Sequence, residues 1–220
     1  MTTIFEEMRQ TMIQRQMVPQ YVTHPKILQS FKILQREIFV PQEQRSVCYG
    51  DTYIAVAENR LMLAPVMLAT LIQAAHIFPH EKVLALACST GYAAIVLSYL
   101  AEKVIAIESS SIYVNQMNEA FENNEIFNAQ SYLRPLREGC LEQAPYDVIF
   151  IEGSVEEIPG EIFAQLAEGG RIVTILSKGK QEPCQGVVIE KREGSLFTNV
   201  LFETKIPILK EFHLTKGFEF

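Results

Sequence analysis

Within residues 83–108, VLALACSTGYAAIVLSYLAEKVIAIE, the residue types able to hold a nucleotide cofactor stand at a spacing that brings them together. A short apolar run at 83–87 leads into Cys88, Ser89, Thr90 and Gly91, and the helical pattern of Ala93, Val96, Leu97 and Leu100 follows. A second apolar run at 104–107 stops at Glu108. Strand, loop, helix and strand in that order form a βαβ unit, which sets the loop and the acid side by side at the carboxyl ends of adjacent parallel strands. Amides at a helix start attract anionic groups, and a carboxylate accepts both hydroxyls of a ribose. Ala87, Cys88, Ser89, Gly91 and Glu108 are therefore the candidate cofactor contacts. A loop of this kind normally has an acid in its first strand and glycines where backbone touches ligand, and those places hold Ala85, Ala87 and Ser89 here. The competing reading is a buried βαβ that binds nothing, in which Gly91 is a turn glycine and Glu108 a solvated strand end.

The elements that must position this unit are legible on either side of it. Ile4, Phe5, Met8, Met12, Ile13 and Met17 recur at helical spacing, which predicts one amphipathic helix. After a turn at Pro19, Thr23 and Pro25 start a second helix with Ile27, Leu28, Phe31 and Leu34 on one face, ending near Arg36. Residues 53–56 are β-prone, and Pro65 opens a helix carrying Met67, Leu68, Leu71, Ile72 and Ala75. Beyond the βαβ unit, Ile112, Val114, Met117, Ala120 and Phe121 predict a further helix. Residues 131–133 read as a strand, and the apolar run 146–151 has the form of a central parallel strand. It ends at Glu152, a further candidate cofactor contact whose alternative is a solvated strand end. A helix over 160–167 stopped by Gly169 and Gly170 precedes a strand over 171–176. The turn at Arg192, Glu193 and Gly194 joins two β-prone runs into an antiparallel hairpin. We divide the chain into an N-terminal helical and substrate-rim segment, 1–78, and an α/β core, 79–220.

Composition narrows the function classes. The chain has 220 residues and a net charge of −7 with no block of Lys and Arg, which argues against a nucleic-acid-binding surface. The longest apolar stretch, 61–78, is interrupted by Pro65, Thr70, Gln73 and His76, so no membrane span is expected, and a cytoplasmic location is the default. Cys48, Cys88, Cys140 and Cys184 form no C-x-x-C pair. His76 and His80 are separated by Pro79, which makes a metal pair on one helix face improbable, and no metal is expected.

Ordered landmarks resemble the protein-L-isoaspartate O-methyltransferase family. Arg36-Glu37-Ile38-Phe39-Val40-Pro41 is similar to its Pro-Arg-Glu-x-Phe-Val-Pro with Gln35 at the first proline, and Tyr49 and Asp51 fall on its Tyr-x-Asp. Pro145-Tyr146-Asp147 leads into the fourth core strand in the family manner. Ile158-Pro159, and Gln165-Leu166 through Gly169-Gly170-Arg171, resemble later family motifs. The resemblance runs from about residue 8 to 220. It implies an α/β, Rossmann-like S-adenosylmethionine-dependent methyltransferase sheet with N-terminal helices and a C-terminal antiparallel hairpin. It also implies S-adenosylmethionine as cofactor, Glu108 as the ribose acid, and a protein or peptide substrate methylated on a carboxylate.

The departures fall on functional positions. The family segment Thr-Ile-Ser-Gln-Pro, whose serine faces the substrate carboxylate, reads Leu61-Met62-Leu63-Ala64-Pro65, so Leu63 is the substrate-binding candidate and offers no hydroxyl. The family's adenine-facing acid after the third core strand aligns with Arg134-Pro135-Leu136. No catalytic residue is assigned. An O-methyltransferase, in which positioning supplies much of the rate, is one functional class. The alternative is an inactive methyltransferase-fold scaffold that uses Leu61, Met62 and Leu63 as an apolar contact surface. A dehydrogenase is a distant third, because the loop lacks the glycines that let a pyrophosphate approach.

Overall fold

A computed structural model describes residues 3–179 and 182–214. Its centre is a seven-stranded sheet in the order β5-β4-β3-β6-β7-β8-β9. β3 (Lys82–Leu86), β4 (Lys103–Glu108), β5 (Ala129–Leu133), β6 (Tyr146–Val155) and β7 (Leu166–Leu176) run parallel, and β8 (Cys184–Arg192) and β9 (Ser195–Thr204) close the sheet as an antiparallel hairpin. β3 lies between β4 and β6, so the chain reverses its direction of winding at the carboxyl end of β3, the place where open α/β sheets bind ligands.

The central strands are apolar on both faces because both are covered. Val83, Ala85, Val104, Ala106, Val148 and Phe150 point into one buried cluster, while Leu84, Leu86, Ile105, Ile107, Ile149 and Ile151 point into the other. This period-two alternation is the pleat of the strands read through their neighbours. The first cluster receives α2 (Pro25–Ile33), α3 (Pro65–Ala74), α4 (Tyr92–Ser98) and, through Met117 and Phe121, α5 (Ser111–Asn123). The second receives α6 (Gly160–Ala164) through Ile162 and the C-terminal turn Lys210–Phe212 through Phe212.

Four details differ from the sequence expectations. The N-terminal amphipathic helix is α-helical only over α1 (Ile4–Met12), then widens into a π-helical turn at Ile13–Met17 and ends through a 3₁₀ turn at Val18–Gln20. The second helix stops at Ile33, because Leu34 is extended at ψ 127° and Arg36–Ile38 forms a separate 3₁₀ turn. Gly169 and Gly170 do not stop a helix. α6 already ends at Ala164, and both glycines lie inside β7, where a Cβ on Gly170 would stand 2.9 Å from the Ala167 carbonyl oxygen. Finally, the β-prone segment is half of a small hairpin, β1 (Ile54–Ala57) with β2 (Arg60–Met62), whose tip carries Asn59 at φ 59°. Asn tolerates that left-handed conformation better than most residues.

A buried ion pair ties the foot of the sheet to α3. Arg171 donates to both oxygens of Glu81 at 2.6 and 2.7 Å and to the His76 carbonyl at 2.7 Å. Its guanidinium thus caps the end of α3 while neutralising a carboxylate that the core would otherwise leave unpaired.

Candidate functional site

The loop after β3 keeps the backbone of a ligand-cradling turn. Ala87, Ser89 and Gly91 all have positive φ, at 62°, 42° and 95°. Only Gly91 suits that region without strain, and a Cβ there would also meet the Met117 Cγ at 2.8 Å. The two side-chain-bearing positions are held in a conformation that disfavours L-residues by about 1–2 kcal/mol each. Ala87→Gly with Ser89→Gly is therefore expected to raise stability by about 1 kcal/mol. Relief of backbone strain outweighs the ~0.8 kcal/mol of a lost buried methyl. For a chain of this size that is a rise of about 2–4 °C in Tm, and a lower Tm in a thermal scan would contradict it.

Glu108, at the end of β4, is not a solvated strand end; it is fully buried at 0 % exposure. Arg60, itself 2 % exposed, lies across it, with Nε 3.0 Å from Oε1 and 3.2 Å from Oε2, and Nη2 3.0 Å from Oε2. The Ser89 amide donates to Oε1 at 2.8 Å and the Ser109 amide to Oε2 at 3.1 Å. Burial alone would lower the Arg60 pKa, but the carboxylates of Glu108 and Glu211 overcome it and hold the guanidinium charged. Glu211 accepts from Arg60 Nη2 at 2.8 Å and Nη1 at 3.2 Å, and from the Ser109 hydroxyl at 3.0 Å. Burial works against ionisation of Glu211, and Arg60 reverses that and lowers its pKa.

The segment that delivers Glu211 is pinned over the carboxyl end of β6. Leu209 donates its amide to the Ser154 carbonyl at 2.8 Å, Glu156 donates to the Phe212 carbonyl at 3.2 Å, and the Phe212 ring is fully buried. Gly153 makes room for it, since a Cβ there would collide with the Leu209 side chain at 2.7 Å.

Glu152 is likewise buried, at 1 % exposure, rather than a solvated strand end. Burial pushes its pKa up to about 8, against the lowering effect of the Leu63 amide, which lies 3.4 Å from Oε1. Cys88 beside it is also buried, and burial and then the neighbouring Glu152 hold its thiol well above the usual range. Leu63 is fully buried, with its carbonyl accepting from Arg36 Nη2 at 2.6 Å. The side chain is thus packed in the core with its backbone locked between Arg36 and Glu152. Met62 is buried and Leu61 half-buried, so the apolar contact surface expected of these three residues does not exist.

The structure brings Ala87, Cys88, Ser89, Gly91, Glu108 and Glu152 together at the switch point. It also brings Arg60, Ser109 and Glu211, which no sequence motif singled out. An open groove of about 740 Å³ runs beside them, lined by Ser109, Leu133, Pro135, Leu136, Arg137 and Glu211. An adenine-sized ring has space in this groove, but a ribose next to it finds Glu108 already occupied. Glu108 Oε1 already takes two donors and Oε2 three, which exhausts the usual capacity of the carboxylate. In this arrangement the site does not fit an adenosyl cofactor until Arg60 moves.

The family described as Protein-L-isoaspartate(D-aspartate) O-methyltransferase matches residues 7–209. A protein-L-isoaspartate O-methyltransferase of Koribacter versatilis is 30% identical over 202 residues, 91% of this chain and 90% of its own length. That of Desulfotalea psychrophila is 30% identical over 165 residues, covering 75% and 77% of the two chains. Among solved structures, a protein-L-isoaspartate O-methyltransferase superposes with a TM-score of 0.77 at 22% identity, over 93% of this chain and 65% of that longer one. A Plasmodium falciparum structure described as a protein of the same kind, in complex with S-adenosyl-L-homocysteine, gives 0.74 at 18% identity over 94% and 98%. These likenesses establish the Rossmann-like methyltransferase fold.

Proposed function

We infer the function from one premise: the chain belongs to the protein-L-isoaspartate(D-aspartate) O-methyltransferase family, whose methyl donor is S-adenosylmethionine. On that premise we propose that it transfers a methyl group to a carboxylate of a protein or peptide, the isoaspartyl carboxylate being the family's substrate. The observation that carries this reading is the conjunction at the switch point. The left-handed loop of Ala87, Ser89 and Gly91 sits directly beside Glu108, whose carboxylate the Ser89 amide orients. The backbone form of a donor cradle is kept even where its side chains are unfavourable, which supports a retained binding role over an incidental βαβ. A carboxylate acceptor needs no strong base, so the chain's own task is to hold two ligands in line and exclude water.

Acceptor recognition differs from the family pattern. Leu63 is buried and has no hydroxyl, so an isoaspartyl peptide would find its hydrogen bonds elsewhere. Transfer from radiolabelled S-adenosylmethionine should accordingly be slow to a short isoaspartyl peptide. It should be detectable, as base-labile label, on an aged protein rich in isoaspartyl sites. Robust labelling of the short peptide would contradict the reading of Leu63. No label on either acceptor, with the fold intact by circular dichroism, would favour the non-catalytic scaffold.

A further inference from the structure

We propose that Arg60 is the gate of the donor site: it occupies Glu108 in place of a ribose, and donor binding requires it to exchange Glu108 for Glu211 alone. This rests on the donor reading given above. The partners of Glu108 divide into two kinds. Ser89 and Ser109 present backbone amides from just past the ends of β3 and β4, whereas Arg60 reaches in with a long side chain from the separate two-stranded hairpin. A side chain can change rotamer without disturbing the sheet, whereas the two amides are fixed by the backbone, so Arg60 is the partner able to leave. A guanidinium fork aimed at both carboxylate oxygens also makes the same pattern of donation as a ribose diol, so the two ligands compete for one acceptor.

What makes departure feasible is Glu211. Removing an arginine from a buried carboxylate would ordinarily leave two uncompensated charges. Here Arg60 already shares its Nη1 and Nη2 with Glu211 and donates to the Asn59 carbonyl at 2.9 Å, so it stays paired after release. Glu108 in turn keeps the Ser89 and Ser109 amides and gains the incoming hydroxyls. The Tyr113 ring centroid lies 5.8 Å from the guanidinium carbon, so the cation already has an aromatic face beside it in addition to Glu211. The gate therefore sets the affinity of the site by a competition internal to the chain.

The test is calorimetric titration of S-adenosylhomocysteine into the wild type, Arg60→Met and Arg60→Lys, each with its fold checked by circular dichroism. Arg60→Met is expected to bind about tenfold more tightly or better, since a charge-assisted competitor is gone. Arg60→Lys keeps the buried charge but cannot span both oxygens, so it folds and shows a smaller gain. Adding Glu108→Gln to either variant should abolish the gain. Unchanged or weaker binding by both arginine variants, with measurable binding by the wild type, would overturn the gate and leave the donor reading standing. No binding by any of the three at ~1 mM ligand would remove the donor reading, and the gate with it.

Discussion

Glu152→Gln is expected to make the protein more stable than the wild type at alkaline pH, by several kcal/mol at pH 9, and nearly equal to it at pH 5. The folded chain keeps the Glu152 proton up to about pH 8, whereas the unfolded chain releases it near 4.5. Between those values the folded state binds more protons, so wild-type stability falls as pH rises, by roughly 1.4 kcal/mol per pH unit. The window of the full effect is set by the two pKa values, and on the order of 5 kcal/mol accumulates across it. A glutamine keeps the oxygen that accepts the Leu63 amide and carries no charge to desolvate, so the slope disappears. The acid limb remains in both proteins. Glu81 is paired with Arg171 and Glu211 with Arg60, both carboxylates are lowered by those partners against the opposing effect of burial, and their contribution is lost as pH falls below 4.5. Urea unfolding at pH 5, 7 and 9 reads the difference directly. Parallel wild-type and variant curves would show that Glu152 is solvated and ionised.

Glu108→Ala is expected to lower the unfolding free energy by about 3 kcal/mol, the lower end of the cost of breaking a buried ion pair. The loss has two parts. Arg60 is left buried with Glu211 as its remaining carboxylate, and the amides of Ser89 and Ser109 lose their acceptor inside the protein. A solvated strand-end glutamate would change stability by no more than about 0.5 kcal/mol. The two readings of Glu108 are therefore separated by a single denaturant titration, with no ligand present.

Much of this fold is written locally. The βαβ unit follows from two apolar runs and a small-residue loop within 26 residues of chain, and the central strand from the nearly continuous apolar run at 146–151. The C-terminal hairpin follows from one turn, where Glu193 and Gly194 both take positive φ. The misreadings have a common cause in packing. Gly169 and Gly170 look like a helix stop until the Asp147 and Ala167 carbonyls that crowd Gly170 are known. Leu61, Met62 and Leu63 look like an exposed apolar stripe until Met62 and Leu63 are packed in the core and Leu61 is half-buried beside them. The candidate site divides the same way. Its loop and Glu108 are one βαβ unit and were legible together. The guanidinium that covers Glu108 comes from 48 residues upstream, and the carboxylate that holds Arg60 from 151 residues downstream of it. No periodicity or motif relates residues at such separations, and only the folded chain pairs them.

The most direct measurement is the affinity of the unmodified protein for S-adenosylhomocysteine, by calorimetric titration at neutral pH. With Arg60 seated on Glu108 and unfavourable side chains in the loop, binding should be detectable but weak. A dissociation constant of about tens of micromolar or more is expected, since each ~1.4 kcal/mol given up to displacing Arg60 is a tenfold loss. A low-micromolar or tighter constant would contradict a donor site that its own arginine keeps closed.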